Sequence, residues 1–153
     1  MTSETDRTEE ILRAKLGELT LEEKVHLCTG MTMWSLTPIE RIGLAELVVS
    51  DGPSGVRGVR WDERSPSLNL PSASSLSSTW SRDAAHLAGV TVAGEARRKG
   101  VHAVLGPTIN LHRSPLGGRH FEAFSEDPHL TAFLADALVD GIQSQGVAAC
   151  LKH

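Results

Sequence analysis

Apolar residues along this chain alternate between two arrangements. In two stretches they recur at helical steps, and in three shorter ones they run together. Ala85, Ala88, Val92 and Ala96 mark one face of a helix predicted over 82–99. Ser81 is its N-cap, Asp83 favours its first turn, Arg97, Arg98 and Lys99 fill its last, and Gly100 supplies C′. Leu130, Leu134, Ala137, Leu138, Gly141 and Ile142 mark a second helix over 128–145, entered through Asp127-Pro128 and stopped by Gly146. The unbroken apolar runs are AELVVSDGP (45–53), VHAVLGP (101–107) and VAACLKH (147–153). Each reads as a buried strand, the first ending at Ser50 or Asp51. Asp6 with Glu9 and Thr20 with Glu23 have the spacing of capping boxes, which predicts short helices near 7–17 and 21–28, with Gly30 ending the second. Residues 1–5 are expected to be loose. Residues 52–79, rich in Ser, Pro and Gly, read as a long loop.

The order strand, helix, strand, helix, strand predicts an α/β fold with a parallel sheet. Continuous apolar strands are expected where both sheet faces are covered. The polar clusters follow the strands: Asp51 after LVVS, a long run after VHAVL, and Lys152-His153 after VAACL. Ligands of parallel α/β folds bind at the carboxyl ends of strands, so the three clusters are expected to converge on one site. A (β/α)8 barrel needs roughly 250 residues. The 153 residues here therefore read as the front part of something longer.

Composition narrows the function classes. Hydrophobic residues make up 40% and charged ones 22%, as in a globular protein. A net charge of −4 argues against nucleic-acid binding, which needs a basic footprint. No apolar run approaches a membrane span, and the polar N-terminus MTSETDRTEE shows no signal peptide, so a cytoplasmic location without membrane contact is expected. Cys28 and Cys150 sit in apolar surroundings and are expected to be buried free thiols. Trp34, Trp61 and Trp80 are assigned to the core, though indole faces also suit sugars. The sequence leaves the oligomeric state open.

The stretch GPTINLHRSPLGGRHFEAFSEDP (106–128) has no regular period, and so long a structureless run inside a domain is usually functional or disordered. Asp51 reads equally as a turn residue and as a carboxylate that grips a polyol. Arg119, after Gly117-Gly118, reads as a surface residue or as a fork for a carboxylate, phosphate or hydroxyls. Lys152 has three readings: a Schiff-base nucleophile, a fixed donor to substrate oxygens, or an exposed terminal side chain. His112, His120, His129 and His153 lack the spacing of a zinc site, so no metal is expected, and no cofactor either. Asp127 is explained as a helix cap and Glu126 by the same helix dipole, which leaves Glu122 as an open acid.

DGPSGVR (51–57), the 106–128 stretch and the terminal Lys-His together resemble glycoside hydrolase family 3, the β-glucosidases, in its N-terminal domain. LTLEEKVHLCTG and STWSRDAAHLAGVTVAGEARRKGV are similar to the same family, so the resemblance runs from about Leu19 to His153. It implies residues 1–18 as an N-terminal helical extension and 19–153 as part of a (β/α)8 TIM-like barrel. It also implies retaining, exo-acting hydrolysis of terminal β-D-glucosyl residues, with small β-glucosides or oligosaccharides as partners. By the family pattern Asp51, Arg119, Lys152 and His153 would hold the sugar, and Lys152 would be a hydroxyl donor. His112, Arg113 and Glu122 would hold the loop in shape behind them. His120 departs from the family's usual Asn.

Retaining hydrolysis needs two carboxyl groups about 5–5.5 Å apart. The resemblance implies a nucleophilic Asp in a later Ser-Asp-Trp-like motif and an acid/base beyond it, neither of which is in this sequence. The expectation is therefore an inactive 153-residue portion of a β-glucosidase. The rivals are a non-catalytic sugar-binding or degenerate gene product, and another barrel enzyme using Lys152 as a Schiff base. With an open sheet edge, the isolated chain is expected to aggregate or stay partly unfolded.

Overall fold

The structure, a computed structural model, describes residues 4–60 and 62–153. Trp61, assigned to the core from sequence, lies outside the described residues. The chain divides into two compact units, one ending at Leu47 and one spanning Val48–His153.

The first unit holds helix α1 (Glu4–Glu18), helix α2 (Leu21–Leu27), the two-residue strand β1 (Ser35–Leu36) and a 3-10 turn at Glu40–Ile42. Thr20 caps α2 with both halves of the capping box: it accepts from Glu23 N–H, and Glu23 accepts from Thr20 N–H. The pairing expected of Asp6 with Glu9 does not cap α1. That helix runs Glu4–Glu18, so Asp6 lies inside its first turn rather than at its N-cap. Leu19, Ile39 and Ile42 form a small core, with Leu27 packed on it.

Strand β2 (Leu47–Ser50) begins at the boundary, and the second unit carries the rest of it with helix α3 (Ala73–Ser77), helix α4 (Arg82–Arg98), strand β3 (Ala103–Thr108), helix α5 (Pro128–Gln143) and strand β4 (Ala148–Lys152). The strands run parallel, with β3 between β2 and β4. The strand–helix alternation and α/β class are those predicted. Ser81 and Asp127 cap α4 and α5 as expected, and Gly100 and Gly146 follow them at φ of 67° and 74°. The period-matched residues of both helices are buried, and they meet Val104, Phe124 and Val147 in one core. Burying a large apolar side chain such as Leu134 or Ile142 contributes about 1.5–3 kcal/mol. The helices meet through glycine. A Cβ on Gly89 would lie 2.2 Å from the Leu138 carbonyl oxygen, and one on Gly141 would lie 2.2 Å from that of His86.

Further sequence expectations need correction, beginning with residues 1–5, of which Glu4 and Thr5 are helical rather than loose. Residues 52–79 are not all loop, because Ser72 caps the short helix α3. Among the described residues only β3 is a largely buried strand. Leu47 of β2 and Ala148, Cys150 and Leu151 of β4 are exposed, since β4 is the sheet's outer strand and the helices cover one face. Both cysteines are free but exposed: Cys150 shares the open side of β4, and Cys28 is the C-cap of α2. Trp80 is 68% exposed rather than core, at the turn before α4, and Trp34 is half-buried.

Candidate functional site

The predicted convergence at the strand ends is present. Asp51 follows β2, and Lys152 ends β4 with His153 after it. A bulge in β3, where Leu105 and Gly106 both oppose Cys150, brings Thr108 level with Lys152. The Asp-Gly-Pro turn packs directly on β3: a Cβ on Gly106 would meet Pro53 at 3.0 Å. Gly52 adopts φ 112°, a conformation open to glycine, so the turn places Asp51 without a side-chain penalty.

Two pairs of charged or polar groups result. Lys152 Nζ donates to Asp51 Oδ1 at 2.7 Å, and Gly52 N–H donates to the same oxygen at 2.8 Å. Among the described residues Asp51 Oδ2 has no partner. Burial opposes the charge on Asp51, but the hydrogen bonds from Lys152 and Gly52 and the charges of Lys152 and Arg119 outweigh it. Its carboxyl is held below the usual carboxylate range. In the second pair, Arg119 Nη2 lies 3.3 Å from His153 Nε2. Glu122, with a side chain only 13% exposed, accepts from Arg119 Nε and, at 3.1 Å, from Nη2. That fork raises the Arg119 pKa, with a smaller contribution from Asp51. The Lys152–His153 peptide bond is cis.

Arg119 is carried by an ordered loop, not a disordered one. His112 Nε2 lies 2.8 Å from the His120 carbonyl oxygen and 3.1 Å from that of Ala123, so this nitrogen carries the proton. His120 Nε2 bonds the Ser114 carbonyl. The ring of His120 fills the space a side chain on Gly117 would need, with its Nε2 2.2 Å from where that Cβ would sit, whereas a Cβ on Gly118 would meet nothing within 4 Å. Of the two glycines only Gly117 is required by packing. From the other side, Ser74 Oγ donates to the Ala123 carbonyl at 2.9 Å, and Ser77 Oγ donates to that of Phe124 at 2.5 Å. Phe124, 2% exposed, fixes the end of the loop in the core.

An open hollow of about 710 Å³ lies in front of this loop, walled by Asn110, Arg113, Arg119, His120, Glu122 and His153 among others. Asp51 lines a second hollow of about 430 Å³. Of the seven residues singled out from sequence, Asp51, Lys152, Arg119 and His153 come together, and His112 and Glu122 brace the loop. Arg113 is exposed on the wall of the first hollow and makes no hydrogen bond among the described residues. Sequence reasoning missed Ser74 and Asn110. Asn110 Oδ1 accepts the His153 backbone N–H and faces its ring Nδ1, each at 3.0 Å. Their only sequence signal is position: Asn110 lies two residues past β3, and Ser74 lies in a serine-rich run.

Among the described residues no helix is long and apolar enough to cross a membrane, and no group of three or more His, Cys, Asp or Glu side chains is placed to hold a metal. Comparison with known proteins matches residues 3–153 to the glycosyl hydrolase family 3 N terminal domain. Probable beta-glucosidase I of Emericella nidulans is 47% identical over 138 residues, covering 90% of this chain and 16% of that protein. Thermostable beta-glucosidase B of Acetivibrio thermocellus is 43% identical over 145 residues, covering 90% and 19%. Among solved structures, beta-glucosidase 3B from Thermotoga neapolitana in complex with glucose aligns with TM-score 0.84 at 37% identity, over 94% of this chain and 23% of that one. The beta-glucosidase from Kluyveromyces marxianus in complex with glucose aligns with TM-score 0.89 at 40% identity, over 94% and 17%. The chain thus spans about one-sixth to one-fifth of the length of these curated relatives.

Proposed function

The chain belongs to glycosyl hydrolase family 3, through that family's N-terminal domain, and on this premise we propose that it supplies the sugar-gripping part of a retaining, exo-acting β-glucosidase site. Residues 19–153 form the front of the barrel domain in this reading, with 1–18 as a helical extension. A terminal β-D-glucosyl residue is held by Asp51, Arg119, Lys152 and His153. One observation carries the proposal: a carboxylate, an ammonium, a guanidinium and an imidazole meet at the carboxyl ends of parallel strands, in two pairs bonded at 2.7 and 3.3 Å. Asp51 Oδ2 is open to a hydroxyl donor, and the remaining N–H groups of Lys152 and Arg119 are open to hydroxyl oxygens. Such charge-assisted bonds to vicinal hydroxyls strengthen as the ring approaches an oxocarbenium ion. That the structurally similar beta-glucosidases from Thermotoga neapolitana and Kluyveromyces marxianus were determined with glucose supports this ligand class.

Bond cleavage also needs a general acid, and neither Asp51 nor Glu122 suits that role. A general acid must hold its proton near neutral pH, and Asp51 is shifted the other way. Both oxygens of Glu122 are engaged by Arg119. In this reading the nucleophile and acid/base come from outside these residues, so the 153-residue chain alone is expected to release no chromophore from an aryl β-glucoside. Sustained release by a purified, homogeneous sample would overturn that. A Schiff-base role for Lys152 fits less well, because its Nζ is an ion-pair donor to Asp51 rather than a free amine. Calorimetry with glucose on the protein expressed from its complete reading frame tests the sugar site. Asp51→Ala or Arg119→Ala should weaken binding at least about tenfold, since each loses a charged hydrogen bond of about 1.5–3 kcal/mol. Unchanged affinity in both would remove the proposal.

A further inference from the structure

Asn110 stands outside the set of residues assigned to the sugar, yet the hydrogen bonds around it fix an otherwise free choice. The His153 backbone N–H can only donate, and it points at Asn110 Oδ1 at 3.0 Å. This orients the amide, with its oxygen toward His153. The His153 ring Nδ1 faces the same oxygen at 3.0 Å, so Nδ1 must carry a proton. In the neutral ring Nε2 is then a lone pair. Nε2 faces Arg119 Nη2 at 3.3 Å, and a guanidinium can donate but never accept. The chain of bonds therefore has a single sense.

We propose that Asn110 is a positioning residue: it locks His153 in the Nδ1–H tautomer, which makes Nε2 the acceptor that aims Arg119 into the site. Glu122 takes Nε and one Nη2 proton, and His153 takes the other. Both are then satisfied, and among the described residues the Nη1 edge alone has no partner, so that edge is presented to the ligand. In the other tautomer an N–H would point at the guanidinium, and Arg119 would lose its second support. The consequence for the ligand rests on the proposal that Arg119 holds a sugar; the tautomer itself does not.

The test uses ring-15N-labelled histidine in the protein expressed from its complete reading frame, with His153 assigned by the signal lost in His153→Gln. At mildly alkaline pH, Nδ1 of the unsubstituted protein should resonate as a protonated nitrogen and Nε2 as an unprotonated one. Asn110→Leu should populate the Nε2–H form and weaken glucose binding about three- to tenfold, the worth of one hydrogen bond. Asn110→Asp keeps an acceptor in place and should restore both. An Nε2–H tautomer in the unsubstituted protein overturns the inference, and that spectrum decides even where Asn110→Leu fails to fold. So does an unchanged tautomer in Asn110→Leu. The inferred tautomer in a protein that binds no glucose would remove the sugar reading and leave the role of Asn110 in orienting Arg119 intact.

Discussion

Where α4 crosses α5, Gly89 and Gly141 let two backbones touch and a continuous apolar core closes around them. The loop between β3 and α5 is built differently: within it only Ala123 and Phe124 are buried. Its shape comes from hydrogen bonds given by His112, His120, Ser74 and Ser77 to its own carbonyl groups. Outside the two glycines, the helix pair is held by many apolar contacts. The loop is held by a few bonds, each worth about 0.5–1.5 kcal/mol net and each lost with one side chain. The element that presents Arg119 is thus specified by polar geometry, while the framework beneath it is specified by volume.

Phe124 belongs to both regions, and Phe124→Ala should break the contrast. Deleting a ring that is 2% exposed removes the core's contact with the loop end and leaves a cavity. The expected loss is about 3–5 kcal/mol in urea denaturation of the protein expressed from its complete reading frame, with α5 and the loop destabilised together. A loss below about 1 kcal/mol would mean that the loop is not anchored through the core. Ser74→Ala should sharpen the contrast instead. It removes one hydroxyl that bonds the Ala123 carbonyl and lies 3.1 Å from that of His120. The expected cost is about 1 kcal/mol, felt locally. Hydrogen exchange should quicken around residues 120–123 and stay unchanged in α4 and α5. Equal quickening in both would show that loop and core open as one unit.

The same contrast explains what could be read from sequence. Helices α4 and α5 were legible to within two residues, because Ser81, Asp127, Gly100 and Gly146 punctuate a clean apolar period. That Asp51, Arg119, Lys152 and His153 meet at one end of the sheet was legible because strand ends and a familiar motif mark them. Burial of β2 and β4 was misjudged because a run of apolar residues does not reveal whether a sheet face is covered. The exposure of Cys150 was misjudged for the same reason, and that of Cys28 because it is the C-cap of α2. Ser74 and Asn110 were illegible because their partners are carbonyls and a ring tens of residues away. No local pattern encodes a bond of that kind.

The smallest expected effect concerns Asp51, where the site is least like the core. Its carboxyl lies below the usual range in the folded chain. Its ion pair with Lys152 therefore contributes in full above the unfolded aspartate value of about 3.9, and is lost only as pH falls through the lower folded value. The Asp51 side chain is 47% exposed, so solvent screening keeps the contribution below about 1 kcal/mol. The difference in unfolding free energy between the unsubstituted chain and Asp51→Asn should stay flat from neutral pH down to the ordinary carboxylate range and shrink below it. Added salt should also reduce it. A difference that instead grows on acidification would mean that burial, not Lys152 and Arg119, dominates Asp51, and that the site draws on the core's physics after all.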